Sequence, residues 1–76
     1  MLEQYEIASV ESLKHHKIED LQMRCDKVKG KGWLVVAYVL DEDRIVVYAI
    51  AHGRKAKQTI KEALSNAIKR MNGEIE

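Results

Sequence analysis

Two apolar runs dominate the hydrophobic pattern of this chain. They are Trp33-Leu34-Val35-Val36-Ala37-Tyr38-Val39-Leu40 and Ile45-Val46-Val47-Tyr48-Ala49-Ile50-Ala51, separated by Asp41-Glu42-Asp43-Arg44. β-Branched, aromatic and aliphatic residues in short runs around a polar break predict a β-hairpin with a charged tip. Lys29-Gly30-Lys31-Gly32 punctuates the chain before the hairpin, and Gly53 ends its second strand. From Ala56 onward the period changes. Ala56, Ile60, Ala63, Leu64, Ala67, Ile68 and Met71 recur at the three- and four-residue spacing of one helix face, and Asn72-Gly73 supplies a stop.

The N-terminal part carries a mixed signal. Ile18, Leu21, Cys25 and Val28 share a helical face, while Leu21-Gln22-Met23-Arg24-Cys25 also alternates as a strand would. Good helix formers, and an Asp20–Arg24 pair one turn apart, favour a helix over residues 16–29. Tyr5–Val10 then forms a short strand. The expectation is a single α+β domain over residues 1–76, a small sheet centred on the hairpin with two helices in the order βαββα. The alternative is αβββα, with Lys29–Gly32 as a second hairpin turn.

Both faces of the hairpin are apolar. Trp33, Val35, Ala37 and Val39 form one, and Leu34, Val36, Tyr38 and Leu40 the other. A sheet covered on one side only would show polar residues on the other, so the second face is expected to be covered as well. A helix of the same chain would do this, and so would a second copy in a homodimer. Exposed strand edges add to the case for pairing. Leu34, Val36, Tyr38 and Tyr48 are the candidate protein-contact residues.

Composition narrows the class. With 76 residues, 46% apolar and 33% charged, the chain is too hydrophobic for a disordered tail. A domain this short buries only about 60–65% of its unfolded surface, which leaves a monomer marginal. The longest uncharged apolar run, Trp33 to Leu40, is less than half the roughly 20 residues of a spanning helix. The acidic start, Met1–Glu6, is unlike a signal peptide. No membrane partner and a cytoplasmic location are therefore expected. Cys25 is the only cysteine, so no internal disulfide staples the fold.

The net charge of +1 conceals an asymmetry, since residues 54–72 carry Arg54, Lys55, Lys57, Lys61, Lys69 and Arg70 against Glu62 alone. Cations in a helix's first turn oppose its dipole at about 0.3–1 kcal/mol each, so stability alone would not choose them. No Ser, Thr, Asp or Asn stands at the expected N-cap. Arg54, Lys55 and Lys57, extended by Lys61, are therefore the candidate nucleic-acid-binding residues; a merely solvated helix face is the plain alternative. His15, His16, Cys25 and His52 lack metal-ligand spacing, and no nucleophile is tied to His52. No phosphate-loop or dinucleotide fingerprint occurs. Neither a metal, a cofactor nor an enzymatic activity is expected.

The hairpin leading into His52-Gly53-Arg54-Lys55-Ala56-Lys57 resembles the last strand and second helix of double-stranded RNA-binding domains. In that family a glycine and a lysine cluster at the helix start meet phosphates, which would give Gly53, Arg54, Lys55 and Lys57 that role. The family's Lys-Lys-x-Ala-Lys pattern is altered here, because Ala56 separates Lys55 from Lys57. Thr59-Ile60-Lys61-Glu62-Ala63-Leu64-Ser65-Asn66-Ala67 is also similar to a helix of HicB-type antitoxins, which implies a toxin-neutralising, protein-binding role. The leading expectation is a small non-catalytic module contacting nucleic acid or another anionic partner through a basic helix N-terminus. The alternative is a small protein inhibitor or antitoxin acting through the hairpin face or edge.

Overall fold

The computed structural model describes residues 4–9, 11, 12 and 15–73. The elements run β1 (Gln4–Ile7), a 3₁₀ turn (Ile18–Asp20), β2 (Gln22–Val28), β3 (Gly32–Asp41), β4 (Arg44–Gly53) and α1 (Ala56–Met71). The fold is α+β, a four-stranded mixed sheet in the order β1-β4-β3-β2 with α1 on one face. β2, β3 and β4 form an antiparallel meander, and β1 pairs parallel with the first half of β4.

The predicted hairpin and C-terminal helix are where the sequence pattern puts them. The helix predicted over residues 16–29 is not. Apart from the short 3₁₀ turn, that segment is strand β2, and Lys29–Lys31 is a hairpin turn, as the alternative reading had it. Among the described residues there is one α-helix rather than two, and the order is ββββα. Propensity for a helix in 16–29 is overridden because β3 offers β2 a full antiparallel ladder from Gln22↔Tyr38 to Val28↔Gly32. Of the short strand expected over Tyr5–Val10, Tyr5–Ile7 lies within β1, and Val10 is outside the described residues.

The core lies between α1 and the sheet. Val35, Ala37, Val39, Val46, Tyr48 and Ala51 point from β3 and β4 at Ala63 and Ala67 of the helix. Alanines on both sides let the helix backbone come close to the sheet, trading side-chain volume for tight packing. Gly53 serves the same purpose at the helix start, where an added Cβ would stand 2.5 Å from Thr59 Oγ1. Thr59 is itself buried, and its hydroxyl donates to the Lys55 carbonyl at 2.7 Å. At the other end of α1, Gly73 takes a positive φ of 83° and its N–H donates to the Arg70 carbonyl, closing the helix as Asn72-Gly73 predicts.

One irregularity decides which residues face where. The β3–β4 register slips between Ala37 and Tyr38: Ala37 pairs with Ala49 but Tyr38 pairs with Val47, leaving Tyr48 as the extra residue of a β-bulge. An unbroken register continued from Ala37–Ala49 would pair Tyr48 with Tyr38 on the open face. The bulge turns it to the helix side instead, where it is only 3% exposed.

Candidate nucleic-acid interface

The meander brings two basic segments to one end of the sheet. Trp33 pairs with Gly53, so the β2–β3 turn lies beside the β4–α1 junction. The turn is closed by the Lys31 N–H donating to the Val28 carbonyl at 2.9 Å, with Gly30 at a φ of 73° and Gly32 at 93°. Gly32 sits so close to the junction that any side chain there would collide with the Gly53 carbonyl oxygen. The result is an open cleft of about 650 Å³ lined by Gly30, Lys31, Gly32, His52, Gly53 and Arg54.

Lys31 and Arg54 line this cleft; Lys29 lies in the same turn, and Lys55 and Lys57 follow Arg54 in the chain, all exposed. None of them takes part in an ion pair among the described residues. Lys55 is the N-cap of α1 and makes no side-chain capping bond; the first turn contains no acidic residue. The first N–H groups of the helix and the neighbouring cations therefore share one positive field.

Of the predicted basic residues, Arg54 lines the cleft, Lys55 caps α1, Lys57 lies in its first turn, and Lys61 lies one turn further along, exposed. Lys29 and Lys31 are the contribution that the sequence pattern read only as turn punctuation. The available signal was conditional: once Gln22–Val28 is a strand, its turn must end opposite Gly53.

The predicted protein-contact residues divide. Leu34, Val36 and Tyr38 lie half-buried on the face away from α1. Tyr48 does not join them, for the reason given by the bulge. Its hydroxyl is 2.7 Å from His16 Nδ1, and His16 Nε2 is 3.1 Å from Asp41 Oδ2. Burial pushes the Tyr48 hydroxyl above its ordinary pKa; Arg70 pulls it back and Asp41 adds to the rise. This Tyr–His–Asp chain ties the connection after β1 to the acidic end of the sheet, and it occupies both ring nitrogens of His16. His52 lies at the far end of β4, and no group of three or more metal-ligating side chains occurs among the described residues.

No helix among the described residues is long and apolar enough to cross a membrane. Comparison with protein-family models, curated proteins and solved structures finds no match.

Proposed function

We propose that this protein is a small binding module whose basic end holds a phosphate backbone, with nucleic acid as the partner. The observation that carries this is the glycine-lined cleft between Lys31 and Arg54, with Lys29 in the same turn and Lys55 and Lys57 following Arg54 in the chain, none of them paired with a carboxylate among the described residues. Glycines let a backbone anion approach closely, and cations without partners neutralise it without first breaking an ion pair. The cost of cations at a helix N-terminus is recovered only when an anion is present. The same junction is the segment that resembles double-stranded RNA-binding domains.

The experiment is fluorescence anisotropy with labelled duplex RNA, duplex DNA and single strands at low salt, for the wild type and for a variant with Lys31, Arg54, Lys55 and Lys57 all changed to Ala. The wild type is expected to bind, with log K falling as log salt rises by roughly 0.9 for each phosphate neutralised. The fourfold variant should bind about 100-fold more weakly with a flatter salt dependence. Absence of wild-type binding to every probe would overturn the proposal.

A second reading is favoured by a different surface. The sheet face away from α1 exposes Tyr5, Ile7, Leu40 and Ile50 together, which suits a protein partner, as an inhibitor or antitoxin would need.

A further inference from the structure

The sheet face away from α1, which no other described element covers, is apolar across β1, β4 and β3 and bordered by Gln22, Arg24 and Asp26 of β2. Leu34, Val36, Tyr38 and Leu40 run along its centre on β3, with Ile45 and Ile50 beside them on β4. Ile7 is 67% exposed, Tyr5 64%, Ile50 57% and Leu40 51%, values that belong to an interface more than to a finished surface. A groove of about 390 Å³ crosses this face between Tyr5, Val36, Tyr38, Leu40 and Ile45.

We propose that a second copy of this chain covers this face, with its strands running in the opposite direction. Size and charge both select that occupant. At ~4.8 Å between strands and ~3.3 Å per residue, the four strands offer roughly 500 Å² of projected sheet, which side-chain relief carries toward the ~800 Å² per partner of a stable interface. The chain is electrically polar along the strands. Lys31, Arg54 and Lys55 mark one end and Asp41, Glu42 and Asp43 the other. A two-fold axis between the sheets and perpendicular to the strands sets each basic end beside the partner's acidic end. An axis parallel to the strands would bring the two basic ends together, which like-charge repulsion opposes.

The rim fits the same operator. Arg24 and Asp26 project from β2 at the border of the apolar field and pair with each other at 3.0 Å. In the inverted arrangement β2 of one copy runs along β2 of the other in the opposite sense, and an axis level with Cys25 would set each Arg24 facing the partner's Asp26.

The dimer is tested on the open face and nucleic-acid binding on the basic end, so the two fail separately, although Lys31, Arg54 and Lys55 enter both arguments. Sedimentation velocity at micromolar concentration is expected to show a dimer. Ile50→Glu and Val36→Glu should each yield a folded monomer by circular dichroism, and Ile50 is exposed enough that its change carries little risk to the fold. Nitroxide labels on Lys31→Cys in a Cys25→Ser background should lie about 30 Å or more apart, a full strand length, instead of under about 20 Å. A monomeric wild type, a dimer indifferent to both glutamate changes, or a short label distance would each overturn the proposal.

Discussion

The two ends of the sheet carry opposite charge, and they treat that charge differently. At the acidic end two carboxylates are used within the molecule, Glu6 accepting from Arg44 at 2.8 Å and Asp41 lying 3.1 Å from His16, which in turn meets Tyr48, while Glu42 and Asp43 make no ion pair among the described residues. At the basic end Lys29, Lys31, Arg54, Lys55 and Lys57 make no such pairs among the described residues, although Lys31 and Arg54 line one cleft. Charge that is paired internally holds the connection after β1 against the sheet. Charge held without a partner adds nothing to stability and makes sense as a contact surface. Under the proposed function the contrast separates a structural end from a binding end, and it can be attacked from either side.

The strongest way to break the contrast is Gly32→Ala. A methyl group there collides with the Gly53 carbonyl at a backbone φ of 93°, so a loss of about 2–4 kcal/mol is expected in urea unfolding. Duplex binding should weaken as well, because the turn can no longer sit against the junction. At the structural end, Tyr48→Phe removes the partner of His16 and should cost about 1–2 kcal/mol. It also has a pH signature. Burial raises the Tyr48 pKa in the folded state above its ordinary 10.0, so on raising pH the unfolded chain loses this proton first. The Tyr48 contribution is complete below that ordinary value and is lost as pH rises through the folded value. Alkaline unfolding curves of wild type and Tyr48→Phe should therefore converge.

Smaller changes sharpen the comparison. Lys55→Asp places a capping carboxylate at the start of α1 and should stabilise the protein by about 1 kcal/mol while weakening nucleic-acid binding. Opposite signs for stability and affinity in one variant would show that this end is shaped by a ligand; a fall in both, or no change in affinity, would remove that argument. Glu42 occupies the left-handed region at a φ of 58° in the acidic hairpin turn. Glu42→Gly should therefore gain about 1 kcal/mol in thermal unfolding with no effect on binding.

Much of this organisation is legible in the residues. The runs Trp33–Leu40 and Ile45–Ala51 and the spacing from Ala56 to Met71 lead to β3, β4 and α1, because burial of one face enforces their period. The apolar character of the second face follows from the missing polar alternation, but no helix among the described residues covers it, because the segment expected to be the second helix is strand β2. Residues 22–28 were misread because their burial is weak on both faces: most are exposed, and pairing with β3 decides their state instead of their own pattern. Tyr48 was misplaced because a bulge leaves no mark in local alternation. The share of Lys29 and Lys31 in the basic end depends on register, which follows only after β2 is a strand.

The parallel pairing of β1 with β4 has a consequence for the order in which the protein assembles. β2, β3, β4 and α1 follow one another with short turns, so each contact closes a small loop, whereas Gln4 must find Arg44 across the whole of β2 and β3. β1 is thus the element that docks last and opens first. In native-state hydrogen exchange the amides of Tyr5 to Ile7 should exchange by sub-global opening at a lower free energy than those of Val35 to Val39. Such an opening would uncover the first half of the β4 edge while the basic end stays assembled.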